Sequence, residues 1–266
     1  MSDFVLSRVE GAVCVVTLNR PEKRNALTLN MLEAVADAVG AAGRRPEIRA
    51  VILEANGPVF SSGVDLMALG ALRAEAGDEQ PGRFLRRIAE RMQRALHLVE
   101  GTELPVIAAM QGRVIGLGLE LALACDLRVA AEDAAFSIPE TRLGLIADVG
   151  GTTRLSRIIG PARAKDMLMT ARTVDAGEAL AWGLVNRVAP PAQLAQAART
   201  LAAEIARNAP LAVGMAKLII DQGDGLDRYT QMALERWAQS LLISTDDVGE
   251  AMAAFMEKRP PQFHGA

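Results

Sequence analysis

A chain of 266 residues, 50% hydrophobic and 23% charged, has the composition of an ordinary globular protein and is long enough to bury a large core, as one domain or a domain with an appendage. A net charge of −3 without a long basic run argues against nucleic acid or an anionic membrane as the main partner. No uninterrupted apolar stretch is long enough to span a bilayer, and Met1 to Arg8 lacks a signal-peptide pattern, so the expected location is cytoplasmic.

Ala12 to Leu18 is β-branched and apolar and reads as a strand, broken by Asn19-Arg20-Pro21. Thr28 or Asn30 can cap a helix running towards Gly40. Ala50 to Glu54 is a second buried strand, stopped at Asn56-Gly57-Pro58, and a small-residue turn follows from Phe60 to Leu66, where Asp65 can cap a helix. Gly70 to Arg83, rich in Gly, Ala, Asp and Glu, predicts a mobile surface loop. Phe84, Leu85, Ile88, Met92 and Leu96 recur at helical spacing up to Val99.

Val106 to Met110 is a third buried strand. It closes on Gln111-Gly112 much as the second closes on Asn56-Gly57. The likeness suggests a short repeat of strand, amide–Gly turn, small-residue loop and helix, a unit that stacks into a coil. Strands are expected at Leu127 to Ala131, Ala135 to Ile138 and Leu184 to Val188, with helices at Thr152 to Ile159, Ala162 to Thr170 and Asp175 to Trp182. After Pro190-Pro191 strand signals nearly vanish, and four helical stretches follow. The expected organisation is an α/β core over 1–190 and a helical part over 191–266 that packs on the core, on a neighbouring subunit, or on both.

The chemistry has few possible carriers. Cys14 and Cys125 lie in apolar surroundings and read as buried thiols in a reducing compartment. The two histidines, His97 and His264, stand outside any Gly-rich or strand-end context, so a Ser-His-Asp arrangement is disfavoured. No metal-ligand spacing is present and no metal is expected. Acid–base work then falls to carboxylates.

The stretch from Gly112 to Asp148 supplies them. Glu120 lies in an apolar run behind Gly116-Leu117-Gly118, Glu140 follows Pro139, and Asp148 stands beside Gly150-Gly151. Acids among Leu, Ala and Ile are costly unless paired, hydrogen-bonded or protonated. Each also has an ordinary reading: an ion pair with an arginine for Glu120, a surface position for Glu140, a helix N-cap for Asp148. Ser62-Gly63-Val64 and Gly116-Leu117-Gly118 each lead into a helix and offer outward N–H groups that could hold an oxyanion, or they simply make tight turns. Together, three acids beside two such turns describe a site for enolate chemistry, and paired carboxylates in a dry pocket split their pKa values.

At these residues the chain resembles the enoyl-CoA hydratase/isomerase (crotonase) family. The matching motifs are N-R-P-E-K-R-N-A-L at Asn19 to Leu27, F-S-S-G-V-D-L at Phe60 to Leu66, G-L-G-L-E-L-A-L-A-C-D at Gly116 to Asp126 and I-P-E-T-R-L-G-L at Ile138 to Leu145. Asp175 to Asn186 and Glu257 to Phe263 fit as well, so the likeness runs over nearly the whole chain. It implies an α/β spiral of ββα repeats, a C-terminal helical trimerisation region, and a homotrimer or dimer of trimers. It implies an acyl-CoA substrate, with CoA part of the substrate and no separate cofactor. The thioester oxygen would sit between the N–H groups of Val64 and Leu117, with Glu120 and Glu140 as catalytic residues.

Substrate contacts are implied from Arg24, Ala26, Ser62, Gly63, Asp65, Leu66, Gly116 and Phe263. Two departures stand out. Met67 occupies a position where several hydratases have a Lys near CoA. Asp148, eight positions after Glu140, is similar to a catalytic Asp of dienoyl-CoA isomerases, a branch that usually has Asp at the place of Glu120. The expected activity is hydration of a 2-enoyl-CoA to a 3-hydroxyacyl-CoA in fatty-acid metabolism. The alternatives are 3,5-dienoyl to 2,4-dienoyl-CoA isomerisation and a non-catalytic acyl-CoA binder.

Overall fold

The structure, a computed structural model, describes residues 4–266. Its main sheet has the order β1 (Val5–Glu10), β2 (Val13–Leu18), β3 (Ala50–Ala55), β4 (Val106–Met110), β6 (Leu127–Ala131) and β9 (Arg187–Ala189). Only the β1–β2 hairpin is antiparallel; the other pairs in this sheet run parallel. Parallel strands covered on both faces carry unbroken apolar runs, as in V-I-A-A-M of β4, all of it buried.

Alternate residues choose the face. Val16, Leu18, Val51 and Leu53 join the larger cluster, which includes residues of α1 (Leu29–Gly43) and α3 (Pro81–Glu100). Val15, Ala50, Ile52 and Ile107 point the other way, onto Leu194, Ala198, Leu201 and Ala202 of α8 (Leu194–Ala206). The first long helix beyond residue 190 therefore packs on the core sheet.

The repeat seen in sequence is a stack of turns. The Gln111 side-chain amide donates to the carbonyls of Ala55 and Gly57 at 2.8 and 3.0 Å, and the Phe60 amide donates to the Gln111 carbonyl at 2.8 Å. Ser61 bridges Val114, and β5 (Arg113–Ile115) pairs with β7 (Ala135–Ser137) in a second sheet completed by β8 (Val174–Asp175). Successive repeats thus place residues 61–64, 114–117 and 137–140 side by side beyond the ends of the main strands. This is the spiral α/β architecture expected from the motifs.

Several elements differ from the sequence reading. Residues 70–83 do not form a loop: α2 (Leu66–Glu75) and the first turn of α3 take most of it, leaving 76–80 between them. The Ala- and Leu-rich composition favours helix, and Asp65 caps α2 by accepting from the Ala68 amide at 3.0 Å. Strand β1 has no counterpart in the sequence reading because its polar and apolar residues mix and its burial runs B-e-e-e-e-i. The strand expected at 184–188 is confined to Arg187–Ala189.

Beyond α8, Lys217 of α9 (Pro210–Gly223) reaches the Asp126 carboxylate at 2.8 Å and the Leu104 carbonyl at 3.1 Å, tying that helix to the core. In contrast, α10 (Arg228–Leu242) and α11 (Asp246–Glu257) expose Trp237, Leu241, Phe255 and Met256. No helix among the described residues is long and apolar enough to cross a membrane.

Candidate active site

The stacked turns enclose one end of a cavity of about 280 Å³. Its polar floor comes from Ser62 to Val64, Gly116, Leu117, Glu120, Glu140 and Asp148, and its apolar walls come mainly from α2, α3 and residues 143–149. Among the described residues no Lys, Arg or His lines it.

The two turns are in contact. A methyl group on Gly63 would lie 3.0 Å from the Ile115 carbonyl oxygen and 3.9 Å from the Leu117 nitrogen. Leu27 bridges Val64 in parallel fashion, donating to the Gly63 carbonyl at 2.8 Å and accepting from the Asp65 amide at 2.8 Å. In such a bridge the N–H of the central residue, Val64, points away from the partner strand. Leu117 opens α4 (Leu117–Leu123), so its N–H has no acceptor within the helix. Two backbone donors from neighbouring turns therefore border one cavity.

Glu120, in the first turn of α4, is 2% exposed. Its partner is not an arginine. Oε1 accepts from the amides of Val149 at 2.9 Å and Gly151 at 2.8 Å. Burial is the main influence on its acidity and pushes its pKa up to about 7; the Gly151 amide opposes this, and the charge of Glu140 adds to it. Glu140 is raised chiefly by burial, with the Asp148 charge adding to it. The Glu140 Oε2 atom is buried without a hydrogen-bond partner, an expensive condition for an acceptor-only carboxylate and a natural one for a group that meets a substrate.

Asp148 is not a helix cap. Helix α5 (Gly151–Ile159) has Gly150 at its N-cap and no side-chain cap. Its first amide, that of Gly151, is taken instead by Glu120. The Asp148 side chain lies in charge range of both glutamates and is itself raised, first by burial, while Gln93 donates to its backbone carbonyl.

The other expected contacts divide. Ser62, Gly63, Leu66 and Gly116 line the cavity. Arg24, Ala26 and Asp65 do not: the Arg24 carbonyl accepts from the Ser62 amide at 3.0 Å, the Ala26 carbonyl accepts from Arg20, and Asp65 pairs with Arg20 at 2.6 Å. They brace the Ser62–Val64 turn from outside. Phe263 is also absent from this cavity. Its carbonyl accepts from Arg49 at 3.1 Å, just before β3 begins, whereas the site follows the other end of that strand.

Sequence reasoning missed the amides of Val149 and Gly151 and, beyond Leu66, the part that Leu69 of α2 and Leu85, Ile88 and Met92 of α3 play as cavity walls. The Gly150-Gly151 pair was the available signal: a methyl group on Gly151 would meet Glu120 Oε1 at 3.0 Å and Cγ at 3.2 Å.

One consequence concerns stability. The Glu120 carboxyl holds its proton to higher pH when folded than when unfolded, so its ionisation costs stability as pH rises from about 4.5 to about 7. Glu120→Gln keeps an oxygen able to accept both amides. Its Tm is expected to exceed that of the parent by a few degrees at about pH 8 and to converge on it near about pH 4, as measured by thermal unfolding across pH.

Known proteins are similar to this chain over nearly its whole length. The model of the Enoyl-CoA hydratase/isomerase family matches residues 8–266. The short-chain-enoyl-CoA hydratase of Clostridium acetobutylicum is 39% identical over 256 residues, covering 96% of this chain and 95% of that one. The crotonyl-CoA hydratase of Syntrophomonas wolfei is 36% identical, with 97% of each chain covered. The crystal structure of an enoyl-CoA hydratase from Bacillus anthracis superposes with a TM-score of 0.91 at 36% identity, covering 99% of this chain and 100% of that one.

Proposed function

The chain belongs to the enoyl-CoA hydratase/isomerase family, and from that premise we propose that it adds water across the double bond of a 2-enoyl-CoA to give a 3-hydroxyacyl-CoA. The observation that carries the reading is the meeting of Glu120 and Glu140 in one apolar cavity bordered by the amides of Val64 and Leu117.

The thioester oxygen lies between those two amides, which stabilise it as it gains charge, a contribution of about 3 kcal/mol per donor. Glu120 takes a proton from water as the water oxygen bonds to C3. Glu140 gives its proton to C2, so the enolate collapses to the saturated thioester. Burial leaves Glu120 with a pKa of about 7, so it is partly charged near neutral pH, and hydrogen bonding rather than resting proton affinity divides the roles: two amides hold the charge on Glu120 Oε1, whereas Glu140 Oε2 meets no protein donor. A substrate lying over Glu140 deepens its burial and strengthens its hold on the proton. CoA enters as part of the substrate, and the reaction as written needs no cofactor. Fatty-acid metabolism is the setting that suits such a step.

The exposed apolar residues of α10 and α11, among them Trp237, Leu241, Phe255 and Met256, support assembly as a homotrimer or a dimer of trimers. Contacts from Phe263 would then reach a substrate held by a neighbouring subunit. The buried, unpaired thiols of Cys14 and Cys125 suit a reducing cytoplasm.

Purified protein assayed with crotonyl-CoA and with a 3,5-dienoyl-CoA tests the reading. Crotonyl-CoA is expected to be hydrated and the diene to react far more slowly. Asp148→Asn is expected to change the hydration kcat by less than about threefold, since no hydration step passes through it, whereas a general acid or base contributes about 10²- to 10⁴-fold. Rapid diene isomerisation that Asp148→Asn abolishes would establish the isomerase reading instead.

A further inference from the structure

The two amides that hold Glu120 are themselves held, through a residue that touches neither the cavity nor Glu120. Arg154, on the first turn of α5, is 6% exposed. Its Nε and Nη2 donate to the two carboxylate oxygens of Glu100 at 3.0 and 2.7 Å, a bidentate pair, and its Nη1 donates to the Val149 carbonyl at 3.1 Å. Its own amide donates to the Gly150 carbonyl at 2.8 Å. The guanidinium packs so tightly against Gly150 that a methyl group there would overlap Nη1.

One planar group thus bridges the C-terminal end of α3, where Glu100 is the last residue, and the Val149–Gly151 segment. That segment alternates its duties: the Val149 amide faces Glu120 while its carbonyl faces Arg154, and the Gly151 amide returns to Glu120. Helix α3 also carries Leu85, Ile88 and Met92 of the cavity wall. The orientation of the Glu120 amides is therefore referred to the helix that shapes the acyl side of the cavity.

We infer that Arg154, anchored by Glu100, is a positioning residue that keeps both amides on Glu120 Oε1 and so fixes the geometry and basicity of the group that activates water. The inference rests on Glu120 acting as the base. Without the anchor the segment can tilt, the amide bonds lengthen, and the desolvation of Glu120 goes less opposed. Its proton is then held to higher pH. Arginine suits the task because its fork reaches a carboxylate and a carbonyl at once; a lysine ammonium reaches either less well.

The test measures kcat, KM and the pH dependence of kcat for crotonyl-CoA hydration in Arg154→Gln, Arg154→Lys, Glu100→Gln and Glu120→Gln, with thermal unfolding of each. Arg154→Gln is expected to lower kcat about 10- to 100-fold, as misplacement of a catalytic group does. KM should stay within about twofold, and the ascending limb of the pH profile should move up by about half a unit to one unit. Arg154→Lys recovers part of both effects, and Glu100→Gln shows a smaller shift in the same direction. A merely structural Arg154 would lower Tm and leave kcat per folded molecule and the pH limb unmoved, which would overturn the inference. Should Arg154→Gln fail to fold, an unmoved pH limb in both Arg154→Lys and Glu100→Gln overturns it equally. Full activity in Glu120→Gln would remove the base itself, a different result from an inactive Glu120→Gln beside an unaltered Arg154→Gln.

Discussion

Glu140→Gln is expected to lower kcat for crotonyl-CoA hydration by about 10³-fold, within the range that one general acid contributes, and to leave KM nearly unchanged. Glu140 opens a short 3-10 turn after Pro139, directly beside the Gly116 turn, so that a methyl group on Gly116 would lie 2.4 Å from Glu140 Oε1. The carboxyl thereby lies over the turn that carries the Leu117 amide, where the proposed mechanism brings C2 of the thioester. Burial raises its pKa, and Oε2 carries no hydrogen bond from the protein, so a proton there is free to leave towards carbon. A glutamine fills the same space but has no acidic proton, and the enolate then depends on slow protonation by solvent. Because the substitution removes a carboxylate from a cavity that also holds Glu120 and Asp148, stability should not fall. Initial rates and thermal unfolding on the same preparation decide the matter. A variant within about tenfold of the parent would assign the C2 proton to another group.

How much of this site was legible in sequence follows from what sequence patterns encode. Glu120 and Glu140 stood out because charge in apolar sequence is costly, and the turns stood out because glycine at Gly63 and Gly116 marks backbone that other residues seldom adopt. Both are local signals. The partners of Glu120 are not local: Val149 and Gly151 lie about thirty positions away, and their part as amide donors depends on a main-chain direction that side-chain identity does not reveal. The helix-cap alternative for Asp148 falls for the same reason: Glu120 arrives from another element to take the Gly151 amide. The walls were hidden differently. Leu85, Ile88 and Met92 show their helical spacing in sequence, but an apolar helix face reads the same whether it meets the core or a cavity, and only the tertiary arrangement sets them against the site. Phe263 is a residue that motif position singles out and one chain does not bring to the cavity, since it lies beside the far end of β3.

Gly116→Ala is expected to lower kcat by about 10²-fold or more while leaving a folded protein, and it probes the oxyanion turn and Glu140 together. Gly116 has φ 51° and ψ −122°, a conformation that costs a side-chain-bearing residue about 1–3 kcal/mol. Its amide donates to the Ser137 carbonyl at 2.8 Å, which ties this turn to the strand preceding Pro139 and Glu140. The new methyl would lie 2.4 Å from Glu140 Oε1 and 3.4 Å from its carboxyl carbon. Two relaxations are open. The Glu140 side chain can swing away, which costs little stability because its far end is flexible but withdraws the proton donor. Alternatively the backbone can rotate towards an ordinary conformation, which turns the next amide, that of Leu117, off the thioester oxygen. Loss of one such donor alone costs about 10²- to 10³-fold. The two routes separate by combination with Glu140→Gln. If the methyl acts by displacing Glu140, adding Gly116→Ala to Glu140→Gln should cost little more, because the displaced group is already inert. If it acts by turning the Leu117 amide, the losses should multiply, and binding of an enolate-mimicking thioester should weaken in Gly116→Ala but not in Glu140→Gln. A Gly116→Ala protein that folds and turns over at the parent rate would show that neither the strain nor the contact at this turn bears on the chemistry.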